Sequence, residues 1–181
     1  CDLPDWVVDR VLPALGEESL RSLARALAQP APLDLRVNLL IADRAEEAAA
    51  LATDGIQSEP TPYSPVGLRV AGKPALNRHR LFTSGAIEVQ DEGSQLLCHL
   101  LGPRRGEMIV DFCAGAGGKS LHMAALMRNE GEIISVDTVP GRLSELKTRA
   151  SRAGATNIRT VLLSGSRLDD LSPRADIALV D

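Results

Sequence analysis

The sequence predicts an α/β chain in two parts: a small α+β module, then a parallel sheet with helices between its strands. Three observations carry this. The second half holds four short, near-continuous apolar runs, at 108–112, 133–136, 158–163 and 177–180. Helical stretches at 120–127 and 141–153 separate the first three. Apolar strands alternating with helices mark a parallel sheet covered on both faces. The first half instead mixes helix-spaced and strand-alternating segments.

Taken in order, Trp6, Val7, Val8, Val11, Leu12 and Leu15 recur at helix spacing, and Gly16 stops the run. Trp6 reads as a staple for this helix. Residues 17–28 form a second amphipathic helix, with Leu20, Leu23, Ala24 and Leu27 on one face, broken by Pro30 and Pro32. Residues 33–40 (LDLRVNLL) alternate well enough to be a strand. Residues 45–53 are Ala- and Glu-rich and helical, with Gly55 after them. Short strands follow at 56–59 and 67–71, and the module ends near Thr83. Residues 95–101 form a helix closed by Gly102 and Pro103. The expected domains are therefore 1–83 and 84–181.

Composition bounds the function classes. In 181 residues, 44% are hydrophobic and 24% charged, which excludes whole-chain disorder. No apolar run approaches the roughly 20 residues that span a bilayer. Three cysteines, Cys1, Cys98 and Cys113, suit a reducing cytoplasm better than a disulfide scaffold. The net charge of −4 argues against nucleic acid, but it is unevenly spread. The first 60 residues carry 11 acidic against 5 basic groups, whereas residues 61–119 carry 5 against 7. Arg69, Lys73, Arg78, His79 and Arg80 make a locally basic segment that fits either a solvated loop or an RNA contact. The chain starts at Cys1 rather than Met and stops at a strand end, so it reads as part of a longer chain.

The most informative stretch runs from Val110 to Ser120 (VDFCAGAGGKS), after a strand and into a helix. Glycines there let the backbone approach a ligand, and the helix N-terminus favours an anionic group. Three ligands use such a turn. A phosphate-binding loop needs a glycine where Cys113 stands. A dinucleotide loop needs a third glycine where Ser120 stands. S-adenosylmethionine needs the close turn, here Gly115-x-Gly117, and an acidic residue at the tip of the next strand to take the ribose hydroxyls. Asp137 ends that strand; its alternative is a solvated strand end or a helix cap before Pro140.

Gln90-Asp91-Glu92-Gly93-Ser94-Gln95, followed by Val110-Asp111-Phe112-Cys113-Ala114-Gly115-Ala116-Gly117-Gly118-Lys119-Ser120, resembles the RNA cytosine-5 methyltransferases of the RsmB/Nop2/Sun type. Their usual loop reads D-x-C-A-A-P-G-G-K-[ST]; Gly115 and Ala116 depart from it, both small. Trp6-Val7-Val8 and Leu35-Arg36-Val37-Asn38 are similar to the family's N-terminal RNA-recognition region, which has an RRM-like sheet. Val136-Asp137 with Arg142-Leu143, and the run from Asp176 to Asp181, are similar to its ribose-binding strand end and the strand entering its D-A-P-C motif.

The resemblance implies a partial Rossmann-like class I methyltransferase fold behind a small RRM-like α+β domain. It implies S-adenosyl-L-methionine as cofactor and RNA, ribosomal RNA first, as partner; we expect a monomer with no membrane attachment. Cofactor-binding residues would be Cys113, Ala114, Gly115, Ala116, Gly117, Gly118 and Lys119, with Asp137 on the ribose hydroxyls, Arg142 bracing that strand end, and Asp181 beside the methyl donor and target base. Lys119 reads as close to the cofactor. The family's Asp near the adenine amine is replaced here by Gly165 or Ser166. Losing one charge-assisted hydrogen bond costs about 1.5–3 kcal/mol.

The family activates cytosine covalently: a cysteine thiolate attacks C6, C5 takes the methyl group, and a second cysteine helps release the product. The target base leaves its stack or is already unpaired. Both family cysteines fall beyond Asp181, so no catalytic residue is expected in this chain and this stretch alone is expected to be inactive. Cys113 reads as a small packed residue against the cofactor, and Cys98 as core beside Leu97 and Leu100. His79, His99 and His122 show no metal-ligand spacing, and no metal site is expected. The competing readings are a non-catalytic RNA-binding or ribosome-assembly factor with a degenerate cofactor fold, and, more weakly, a dehydrogenase.

Overall fold

The computed structural model describes residues 3–164 and 175–181. Two compact units divide the chain, Cys1–Pro32 and Leu33–Asp181. The first holds α1 (Asp5–Leu27), in which Gly16 leaves helical geometry at φ 74° and ψ 167°. The sequence expectation of two helical runs broken at Gly16 is met. Trp6 is 73% exposed, so it is no staple.

The second unit contains two four-stranded sheets. The first, in order β2-β3-β1-β4, is antiparallel throughout: β1 (Leu33–Val37), β2 (Ser58–Pro60), β3 (Gly67–Val70) and β4 (Ile87–Val89). Leu35, Val37, Leu68, Val70 and Ile87 pack with Leu51 of α2 (Arg44–Thr53) and Leu81 of α3 (Arg80–Thr83). Asp43 starts α2 by accepting hydrogen bonds from the Ala45 and Glu46 amides. The polar positions of β1 are buried as well, with Asp34 at 4% and Arg36 at 1% exposure. Alternation would leave them in water; here both carry partners instead. Arg69 donates twice to Asp34, at 2.8 and 2.9 Å, and Arg36 Nε donates to Gln90 Oε1 at 2.6 Å. The first sheet also continues past Thr83, because β4 pairs with β1 from Leu35–Val89 to Val37–Ile87.

The second sheet has the order β7-β6-β5-β8 and is parallel throughout, from β5 (Met108–Asp111), β6 (Glu132–Asp137), β7 (Ile158–Leu162) and β8 (Ile177–Leu179). This is the partial Rossmann-like sheet that the resemblance implied. Helices α4 (Glu92–Leu101), α5 (Gly118–Leu126) and α6 (Pro140–Ala153) share one core with Ile109 and Ile133. Val110, Ile134 and Val136, on the alternate positions, form a separate cluster. Among the described residues the expected helical cover is therefore seen on one face. Helix α4 starts before residue 95, because Asp91 caps it by accepting from the Ser94 amide at 3.3 Å. Among the described residues, no helix is long and apolar enough to cross a membrane.

Helices α4 and α5 meet through a T-shaped His99–His122 pair with ring centroids 4.9 Å apart. Among the described residues neither His122 ring nitrogen has a partner, and burial pushes its pKa down to about 2. Burial lowers His99 too. The folded chain therefore keeps His122 neutral, whereas an unfolded histidine protonates below about 6.5. The unfolded state then binds more protons, so stability falls as pH falls through that value. Urea unfolding from pH 6.5 to 5 should show a loss from His122 of at most ~1.4 kcal/mol per pH unit. His122→Met should remove most of this slope; equal slopes in both proteins contradict the assignment.

Candidate functional site

Strand order reverses between β5 and β8: β6 and β7 extend the sheet on one side of β5, and β8 lies on the other. In open α/β sheets, ligands bind outside the carboxyl ends at such a point. There a cavity of about 230 Å³ is lined by Asp111, Cys113, Ala114, Gly118, Lys119 and Asp181. Gln90, Asp91 and Ser94, from the start of α4, complete its wall.

The glycine loop is held from several sides. The Phe112 amide donates to Leu179 O at 2.8 Å and the Ala114 amide to Val136 O at 2.9 Å, which ties the loop to both neighbouring strands. Gly117 sits at φ +88°, and a Cβ there would come within 2.5 Å of Leu146 Cγ on α6. Helix α5 can therefore pack on α6 only with glycine at this position. Gly115, at φ +54°, has nothing within 4 Å of its Cβ direction. Gly117 is thus required by packing, whereas Gly115 faces open space.

Asp137 is 6% exposed and spans two roles. One carboxylate oxygen accepts from the Gly115 amide at 2.9 Å, and the other from the Val139 amide at 2.8 Å, just before α6. The bond to the Val139 amide makes a turn ahead of α6 rather than a helix cap, and the bond to Gly115 links Asp137 directly to the loop. Arg142 Nη1 lies 3.8 Å from Asp137, with its side chain 61% exposed.

Of the expected residues, Cys113, Ala114, Gly118, Lys119 and Asp181 reach the cavity wall. Gly115, Ala116, Gly117, Asp137 and Arg142 are not on it; Asp137 joins through the Gly115 amide. Lys119 Nζ forms an ion pair with Asp181, which brings the loop to the end of the β8 strand run. Cys113 is exposed rather than packed. Cys98 is fully buried as expected, but Leu97 and Leu100 beside it are exposed. Burial pushes the Cys98 thiol up to about 12, which leaves it protonated and inert. No His/Cys/Asp/Glu group suited to a metal is found among the described residues. Gly165 and Ser166, the expected adenine-side substitutions, lie outside the described residues.

Four wall residues were not among the expected binding set: Gln90, Asp91, Ser94 and Asp111. All stood in the two quoted motifs, and Asp111 ends its strand as Asp137 does. Asp111 is 3% exposed, accepts from Ser120 Oγ at 2.6 Å, and has its pKa raised by burial. The two sheets are joined behind the loop. Glu88 of β4, 1% exposed, accepts from Arg149 Nη2 at 2.9 Å and from Arg152 Nη2. Arg149 Nη1 donates to Ala116 O of the loop at 2.9 Å.

The basic segment is neutralised in part. Arg69 pairs with Asp34, and both His79 and Arg80 contact Asp54. Arg36 and Asn38, in the stretch similar to an RNA-recognition region, are buried; Asn38 donates to Gly85 O and Ala153 O.

Gly117→Ala is predicted to destabilise the protein by about 1–3 kcal/mol through forced φ and contact with Leu146. Denaturant unfolding checks this. A change below about 0.5 kcal/mol would show that α6 gives way freely.

Comparison with known proteins bears on the same two halves. Residues 3–77 match the family described as Methyltr_RsmF/B-like, ferredoxin-like domain, and residues 98–181 match 16S rRNA methyltransferase RsmB/F. The chain is 32% identical over 180 residues to "Probable ribosomal RNA small subunit methyltransferase B" of Bacillus subtilis (strain 168), covering 98% of this chain and 40% of that protein. It is 33% identical over 108 residues to "tRNA (cytosine(72)-C(5))-methyltransferase" of Pyrococcus horikoshii, covering 60% of this chain and 28% of that protein. A crystal structure of a methyltransferase homolog protein from Pyrococcus horikoshii superposes with a TM-score of 0.81 at 30% identity, covering 90% of this chain and 53% of that one. The chain spans about two fifths of the length of the Bacillus subtilis relative. With both halves matched in order and the fold shared, the chain belongs to the RsmB/F family of methyltransferases.

Proposed function

We propose that the full protein transfers a methyl group from S-adenosylmethionine to C5 of cytosine in RNA, with ribosomal RNA as the first candidate. The observation that carries this is the convergence of the glycine loop, Lys119 and Asp181 on one cavity at the β5/β8 strand ends. The names of the Bacillus subtilis and Pyrococcus horikoshii relatives support the RNA and cytosine parts.

The residues present fit the cofactor. The open side of Gly115 leaves room for close backbone approach, and no side chain caps the N-terminus of α5. In this reading, backbone groups from Cys113 to Lys119 hold the methionine and ribose portions. Asp137 takes the ribose hydroxyls; each of its oxygens already accepts one hydrogen bond and retains a second lone pair. Arg142 braces Asp137, and Asp181 lies beside the reacting atoms. When bound, the cofactor supplies an electrophilic methyl group on a sulfonium.

The attacking thiolate comes from a cysteine beyond Asp181. It adds to C6, C5 takes the methyl group and loses its proton, and elimination restores the ring. Cys98 is unsuited to this role, being fully buried and protonated. The region through β4 contributes RNA recognition, and the residues from α4 onward the first half of the methyl-transfer domain. The protein works as a monomer in the cytoplasm, without membrane attachment.

Labelled methyl transfer to small-subunit ribosomal RNA by the full-length protein tests the activity; 5-methylcytosine in the product is expected. Cofactor binding without transfer to any RNA would favour an assembly factor instead. Asp137→Asn should weaken S-adenosylhomocysteine binding about 10- to 100-fold by calorimetric titration, the weight of one or two charge-assisted hydrogen bonds. Unchanged affinity removes Asp137 from the site.

A further inference from the structure

Gln90 stands immediately before α4 and belongs to the motif at 90–95 rather than to the glycine loop. Its residue is 7% exposed, yet it lines the cavity. The orientation of its amide is decided by its neighbour. Arg36 Nε donates to one end of the amide at 2.6 Å. A guanidinium can only donate, so that end is the carbonyl oxygen. The NH2 group is therefore the other end. It makes no hydrogen bond among the described residues, and Nε2 lies 3.7 Å from where a Gly118 Cβ would stand, at the first residue of α5.

This places an unpartnered donor beside a helix N-terminus that no side chain caps. Lys119 projects from the same turn into the same cavity. Three donor types thus gather at one spot: an amide, an ammonium and the leading backbone N–H groups of α5. The same wall carries the carboxylates of Asp91 and Asp181, whereas its third carboxyl group, Asp111, is taken up by Ser120. Donors and acceptors together suit a zwitterionic amino-acid head group, with the carboxylate on the donors and the ammonium on the acids.

We infer that Gln90, held in register by buried Arg36, is a positioning residue that donates its amide hydrogen to the α-carboxylate of the cofactor's amino-acid portion. The inference rests on the S-adenosylmethionine reading and adds a contact from outside the glycine loop. It also gives the buried arginine of β1 a reason to be there: Arg36 fixes which end of the amide faces the ligand. Exchanging the ends would set two donors against each other and turn an acceptor toward the ligand carboxylate.

Gln90→Glu is the discriminating variant. It keeps the shape and gives Arg36 a stronger acceptor, but it replaces the donor with a second negative charge. The full-length protein and this variant are titrated with S-adenosylhomocysteine and with 5′-methylthioadenosine, which lacks the amino-acid head. The expected result is a loss of at least ~10-fold in affinity for S-adenosylhomocysteine. Affinity for 5′-methylthioadenosine should stay within about twofold, with thermal unfolding unchanged or raised. Gln90→Met, which has neither donor nor charge, should lose less and in the same selective way. Equal losses for both ligands in the two variants would overturn the inference in favour of a packing role, as would retained S-adenosylhomocysteine affinity. If the unsubstituted protein binds neither ligand, the cofactor reading itself fails, and the role of Gln90 fails with it.

Discussion

A carboxylate buried between two guanidinium groups ties the parts of this unit together. Glu88 sits on β4 of the antiparallel sheet, while its partners Arg149 and Arg152 lie on α6, which packs on the parallel sheet. Taking such charges out of water costs several kcal/mol per ion, so the arrangement holds only where the pairing is good and the remaining donors are met. Here they are met in part: Arg149 uses its other nitrogen on Ala116 O, and the Arg152 guanidinium lies 4.4 Å over the Phe82 ring while its Nε finds no hydrogen-bond partner among the described residues. Removing Glu88 would leave the half-buried Arg149 and Arg152 without a counter-charge, with Arg36 close enough to feel the loss. The interaction therefore does more than join two sheets. It reaches the backbone of the loop on which the proposed chemistry depends.

The strand ends divide the labour among three aspartates. Asp137 holds the loop amide of Gly115 and the Val139 amide just ahead of α6. Asp111 is buried against Ser120 and is pushed toward its neutral form, which suits support of the α5 start better than contact with a cation. Asp181 is half exposed and paired with Lys119. The same residue type at similar positions thus has three electrostatic settings, set by burial and by the nearest donor. The motif at 90–95 is divided as well. Glu92 accepts from the Tyr63 and Ser64 amides, and Gln95, fully buried, donates to Leu35 O and Gln90 O. Those two hold the first sheet, while Gln90 and Asp91 reach the cavity.

Much of this was legible in the sequence, for identifiable reasons. The parallel strands announced themselves because residues buried on both sides read as continuous apolar runs, as Ile133, Ile134 and Val136 do. The loop was legible because Gly117 has no substitute against Leu146. Three things were hidden. Strand β4 is three residues long and exists through its pairing with β1, a contact about 50 residues away in the chain. Polar residues of β1 looked solvent-facing, because alternation cannot reveal that Arg36 meets Gln90 in the interior. The basic segment looked free because its acidic partners, Asp34 and Asp54, are distant in sequence. Long-range ionic pairing leaves no periodic trace, and this molecule uses it at its central joint.

The most direct test of that joint is hydrogen exchange at the loop. Amide exchange over residues 113–119 would be followed by mass spectrometry in the unsubstituted protein and in Arg149→Met, under conditions where both are folded. Arg149→Met should exchange faster in this peptide, at the Gly115 and Gly117 amides above all, whose bonds to Asp137 and Ala114 O depend on the loop staying in place. Protection over 132–137 in β6 should be unchanged. Loop exchange that matches the unsubstituted protein would show that the glycine loop keeps its shape without Arg149, and the Glu88 clamp would then be a joint between sheets and nothing more.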